Sequence, residues 1–256
     1  MSLPTFSTLG DGPTVLMLHG VAATHLAFAP QVESLAMAGF RAVAWDMPGY
    51  GLSPPIEPYT FKGLAERCIA LIGALRCTTV TLLGHDMGGM VAQEVVARRP
   101  ELVDRLVLCG TSPSFTQLEA ELVPDAAHTL RQGRSMGELA EALVPQMVGS
   151  GSLPEGVRLA QHCMGQVHPS TFRRALDALP TFDRTSGLDH IHVPTLLVAG
   201  EQDRHAPPHV MRQMSRRIAS STYIEMPGIG HLPNLEAPDE FDAAVLNFLA
   251  LPRLLH

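Results

Sequence analysis

The residues best placed to do chemistry lie in the run Leu82-Leu83-Gly84-His85-Asp86-Met87-Gly88-Gly89-Met90. The apolar segment Thr78 to Leu83 reads as a strand, and Met90 to Arg98 has helical spacing. A strand, a sharp turn and a helix in succession put Asp86 alone at the carboxyl edge of a sheet. Gly84 and Gly88 flank it because strand and helix pack too closely there for side chains. A carboxylate in that position can attack saturated carbon and displace a leaving group. The product is a covalent alkyl ester of the protein that an activated water then hydrolyses.

Positioning such a residue requires a rigid frame. Short runs rich in Val and Leu occur at Thr14 to Leu18, Arg41 to Trp45, Thr78 to Leu83, Arg105 to Cys109, Thr195 to Ala199 and Thr222 to Met226. Between them lie helical patterns at Phe28 to Ala38, Phe61 to Leu75, Met90 to Arg98 and Asp239 to Leu249. Continuous hydrophobicity predicts strands buried on both faces of a mainly parallel sheet. The fold class is therefore α/β with about seven strands, one of them a brief strand within Leu3 to Thr8. From about Ser114 to His190 only helical pieces appear, separated by Pro124, Pro145, Gly149 to Gly151, Pro154 and Pro169. A structureless loop of that length is uncommon in a compact domain. Residues 114–190 are expected to form a helical cap on a core of residues 1–113 and 191–256.

The 256 residues include 18 Lys and Arg against 25 Asp and Glu, a net charge of −7 with no basic run. No electrostatic footprint for nucleic acid or an anionic membrane is present. Cys68, Cys77, Cys109 and Cys163 are scattered without metal spacing, so they read as buried free thiols. No apolar run reaches eighteen residues and no basic-then-hydrophobic leader opens the chain, which reads as cytoplasmic. The expected partner is a small-molecule substrate, with no cofactor, metal, nucleic acid or membrane, in a monomer or homo-oligomer.

Four more blocks follow strands in a telling order. They are His19-Gly20, Asp46-Met47-Pro48-Gly49-Tyr50-Gly51-Leu52-Ser53, Gly200-Glu201-Gln202-Asp203 and Gly228-Ile229-Gly230-His231. With the turn at Asp86 they resemble the α/β-hydrolase superfamily over nearly the whole chain. The resemblance implies an α/β-hydrolase fold with the cap inserted after the sixth strand of the usual eight. It implies a nucleophile, acid and base in the order Asp86, Asp203 and His231. The backbone N–H groups of Val21 and Met87 would form the oxyanion hole, and His19 and Gly20 would support its loop. His85 is expected to pack beside the turn.

An aspartate in place of the usual serine resembles the haloalkane dehalogenases and epoxide hydrolases. In their scheme His231, oriented by Asp203, would deprotonate the water that attacks the carbonyl carbon of Asp86, whose second oxygen sits in the oxyanion hole. Their leaving-group residues are mostly missing here. Tyr50, Tyr59 and Tyr223 all lie outside 114–190, Met87 and Val21 stand where halide-binding Trp and Asn are used, and the lone Trp45 reads as core. Met90 to Glu94 lacks the arginines of fluoroacetate dehalogenases. The run Gly88 to Glu94 looks closer to serine-type enol-lactonases and carbon–carbon bond hydrolases.

Two enzyme readings stay open. One is an aspartate-nucleophile hydrolase of a small, mostly apolar substrate. The other is an ester or (enol-)lactone hydrolase scaffold whose serine is replaced by Asp86. A small-molecule sensor without turnover is a third, against which an intact Asp203 and His231 argue. Leu118, Leu122, Leu130, Met136, Leu139, Leu143, Met147, Leu159, Met164, Val167 and Leu176 read as cap core with a minority facing the elbow. Arg131, Arg134, Arg158, Arg173, Arg174, Arg184, His128, His162 and His168 read as solvated single charges.

Overall fold

The computed structural model describes residues 2–115 and 134–252. Of the positions named above, Leu118, Leu122, Pro124, His128, Leu130 and Arg131 lie outside the described residues. Seven strands form one sheet: β1 (Phe6–Leu9), β2 (Thr14–Leu18), β3 (Arg41–Trp45), β4 (Val80–His85), β5 (Val103–Cys109), β6 (Thr195–Gly200) and β7 (Ser221–Met226). Their spatial order is β1-β3-β2-β4-β5-β6-β7, with β1 antiparallel to β3 and every other pairing parallel. The sheet is the α/β-hydrolase arrangement that the motif order predicts.

Alternation along each strand splits its side chains between two apolar layers. Leu16, Leu18, Val43, Trp45, Leu82 and Leu106 face α2 (Phe61–Ala74) and α3 (Met87–Arg98), contributing to one core. Val15, Met17, Ala42, Ala44, Leu83 and Val107 join the other, with Leu35 of α1 (Ala29–Met37) and Phe241 of α9 (Pro238–Ala250). Both faces are thus covered, which is why β2, β4 and β6 are buried along their whole length. Trp45 is fully buried core, as predicted; Cys68, Cys109 and Cys163 are buried free thiols, whereas Cys77 is partly exposed.

Boundaries differ from the sequence expectations for identifiable reasons. β4 runs on through Gly84-His85 because both keep pairing with β5. The following helix starts at Met87 rather than Met90, since its first turn is Met87-Gly88-Gly89, weak in helix propensity but fixed by packing. β1 lies at Phe6–Leu9 rather than within Leu3 to Thr8. Two helices carried no expectation: α7 (Pro208–Arg217), polar with only Met211 and Met214 buried, and the one-turn α8 (Pro233–Glu236).

Between β5 and β6 the described chain forms α4 (Met136–Met147), α5 (Pro154–Gly165) and α6 (Pro169–Ala178). Ser135 and Glu138 close a capping box at the start of α4. Arg158, Arg173, Arg174, His162 and His168 are exposed. Arg184 is not a solvated single charge. Its Nε donates to Glu94 Oε2 at 2.6 Å, while Arg98 Nε donates to Glu94 Oε1 at 2.6 Å, so a buried carboxylate on α3 ties down the chain returning from these helices. Among the described residues no helix is long and apolar enough to cross a membrane.

Removing one partner of a fully buried ion pair costs about 3–5 kcal/mol. Here the arginine side chains are 33% and 35% exposed and can return to water. Glu94→Gln is therefore expected to cost about 1–2 kcal/mol, read as a Tm lower by about 2–8 °C; an unchanged Tm would show that the tie contributes nothing.

Candidate active site

The elbow forms where β4 ends against α3. Asp86 adopts φ 50° and ψ −122°, a region that non-glycine residues rarely occupy. A Cβ on Gly88 would lie 2.0 Å from the Leu18 carbonyl oxygen, and one on Gly84 would lie 2.5 Å from the Gly88 oxygen. Only glycine permits this approach. The Asp86 N–H donates to Cys109 O (3.1 Å), and Asp86 O accepts from Thr111 Oγ1 (2.7 Å) and from Gly89 N (2.9 Å). The turn is held by β5, by Thr111 just beyond it and by the helix.

The side chain points at the loop after β2. Val21 N–H donates to Asp86 Oδ2 at 2.8 Å. Gly20 makes room for it, since a Cβ there would sit 2.6 Å from that oxygen. Met87 opens α3, whose first N–H groups have no intrahelical acceptor. The loop is braced by His19, which donates from Nδ1 to Gly20 O (2.8 Å) and accepts at Nε2 from Met47 N (3.0 Å). Tyr50 donates its hydroxyl to Val21 O at 2.8 Å and meets the His19 ring edge-on at 4.8 Å.

On the other side, His231 Nδ1 donates to Asp203 Oδ2 at 2.9 Å, and both residues are buried. That bond places the proton on Nδ1 and makes Nε2 the basic nitrogen. Asp203 Oδ1 accepts from the N–H groups of His205 (2.7 Å) and Ala206 (3.0 Å). Burial works to raise the Asp203 carboxyl, but the His231 imidazole and these hydrogen bonds outweigh it and hold the carboxyl below its ordinary value. The elbow and the histidine loop are joined directly, because His85 Nε2 donates to His231 O at 2.8 Å.

Asp86 lies on the floor of a narrow pocket. Gly20, Ala22, Ala23, Ala27, His85, Leu232, Asn234 and Leu235 line it from the core, and Val144, Met147, Ala160 and Cys163 from α4 and α5. The cavity volume is about 20 Å³, little more than one water needs. Asn234 is held by its Nδ2 donating to Ala27 O (2.8 Å). Sequence reasoning missed Asn234, Cys163 and His205, whose ring lies 4.8 Å from that of His231. Proximity to Asp203 and His231 in the chain is the one signal that points to His205 and Asn234.

Burial pushes the imidazoles of His19, His85 and His205 down to about 4, from an ordinary 6.5. Between those values the unfolded chain binds protons that the folded chain does not, so stability rises with pH across this window. Each histidine contributes up to about 1.4 kcal/mol per pH unit. Urea midpoints are expected to fall steadily from pH 6.5 to pH 4; a flat profile would mean that these rings are not buried neutral.

The profile of the "Alpha/beta hydrolase family" matches residues 15–244. The pimeloyl-[acyl-carrier protein] methyl ester esterase of Nitrosospira multiformis is 30% identical over 255 residues, covering 94% of this chain and 96% of its own. The esterase EaEST of Exiguobacterium antarcticum superposes with a TM-score of 0.88 at 25% identity over 96% of this chain and 95% of its own. The enol-lactonase of Burkholderia xenovorans LB400 shares the fold, with a TM-score of 0.87 at 24% identity over 96% of both chains. With a profile match that runs from β2 through the elbow to the Asp203 and His231 loops, the chain belongs to the alpha/beta hydrolase family.

Proposed function

We propose that this hydrolase cleaves a small, mostly apolar organic molecule at saturated carbon, with Asp86 as nucleophile, Asp203 and His231 activating water, and Val21 and Met87 supplying the oxyanion hole. The observation that carries this reading is the Val21 N–H bond to Asp86 Oδ2 at 2.8 Å. An oxygen of the nucleophile itself occupies the place where an ester substrate would put its carbonyl oxygen. For attack on an ester that is an obstruction; for alkyl transfer it is preorganisation, because the tetrahedral centre then forms on Asp86.

Asp86 Oδ1 attacks the substrate carbon, the new C–O bond forms, and the leaving group departs with its bonding pair. Water then adds to Asp86 Cγ as His231 Nε2 takes its proton, and the negative charge gathers on Oδ2, where Val21 N–H already points. Collapse breaks the bond between Cγ and the alkylated oxygen. The alcohol leaves with the proton returned by His231, and the Asp86 carboxyl, which keeps one oxygen from water, releases its remaining proton to solvent to become a carboxylate again. The apolar pocket walls favour an uncharged substrate, and the walls that α4 and α5 supply must part to admit it, since the cavity has room for little more than one water.

The second reading, ester or lactone hydrolysis on a modified serine scaffold, is favoured by the esterase relative at 30% identity. There carboxylate attack would give an anhydride, so Asp86 would serve as general base. The two part on experiment with a panel of 1-haloalkanes, terminal epoxides and 4-nitrophenyl acetate. Alkyl transfer requires oxygen-18 from labelled water in the Asp86 peptide after one turnover, and loss of at least about 10⁴-fold in rate in Asp86→Asn. Turnover without label, or a large gain in ester hydrolysis in Asp86→Ser, would favour the second reading instead.

A further inference from the structure

Glu236, in the one-turn helix α8, is fully buried and belongs to none of the groups assigned above. Its Oε2 accepts from Gly230 N (2.8 Å), Gly149 N (2.7 Å) and Ser152 Oγ (2.5 Å), and its Oε1 accepts from Leu232 N (2.8 Å). Gly230 and Leu232 are the two neighbours of His231, while Gly149 and Ser152 belong to the loop between α4 and α5. The N–H between those two neighbours, that of His231, donates to Met147 O at the end of α4 (2.7 Å). Three consecutive N–H groups around the proposed base are thus held by Glu236, the cap and Glu236 again. The two segments also touch backbone to backbone: a Cβ on Gly149 would lie 2.2 Å from Gly228 O, and one on Gly230 would lie 2.3 Å from Met147 O.

We propose that Glu236 is a positioning residue that fixes the register between the cap and the His231 loop, so that pocket wall and base move as one body. Met147 both lines the pocket and holds the His231 N–H. A substrate that displaces Met147 therefore displaces His231, and a poorly fitting one misplaces the base. This coupling rests on the reading of His231 as base only for its effect on turnover; the register itself is testable without substrate.

Glutamine at this position keeps the size but always turns an NH₂ group toward an N–H donor. In folded Glu236→Gln, amide exchange is expected to rise about ten- to hundredfold at the donors that face the NH₂ group, either Leu232 or Gly149 and Gly230 together, as for buried donors left unpaired. Amides of β4, which open only with the whole fold, should change less. The downfield proton signal of His231 Nδ1–H, bonded to Asp203, should shift or broaden. Gly149→Ala, which leaves Glu236 intact but forces the cap loop away, should move the same signals, and it carries the test if Glu236→Gln does not fold. Wild-type exchange and an unmoved His231 signal in either folded variant would overturn the proposal. Failure of the oxygen-18 experiment alone would leave it standing.

Discussion

A backbone held at φ 50° in a non-glycine residue costs about 1–3 kcal/mol and persists only where its surroundings leave no alternative. At Asp86 they leave none: β5 takes its N–H, Thr111 and the first turn of α3 take its carbonyl, and Val21 takes its side chain. The elbow is therefore less a turn than a junction of three elements. The loop after β2 docks on it through Val21, and the histidine loop docks on it through His85. Relax the elbow, and both flanks of the site lose their reference point.

Charge at this site is handled by dipoles rather than by counter-ions. Among the described residues lining the pocket there is no lysine or arginine, and three nearby imidazoles are held neutral by burial. The Asp86, Asp203 and Glu236 carboxylates are instead met by backbone N–H groups and by His231. Fixed N–H dipoles do not reorganise as charge moves during a reaction. A site so built suits charge that shifts between its own atoms better than charge carried in by an anionic substrate.

Much of this was legible in the sequence because the relevant constraints are local. Gly84 and Gly88 mark a close approach, and the apolar runs mark buried parallel strands. Asp203 and His231 fall in short blocks directly after such runs. What escaped reading depends on pairings between distant segments. Glu94 meets Arg184 across 90 positions and Glu236 meets Gly149 across 87, and nothing in either neighbourhood marks a buried carboxylate. Helix α7 escaped because only two of its ten residues are buried, so its apolar periodicity is faint.

The sheet order carries a kinetic implication. The strands that deliver Asp86, Asp203 and His231 are β4, β6 and β7, and the contact that joins elbow to histidine loop spans 146 positions. Loops of that size close late, because chain entropy is lost before the contact forms. A nascent or partly refolded chain thus possesses elements of secondary structure long before it possesses a site. Recovery of turnover, rather than of helix signal, reports the moment at which the last strand has joined.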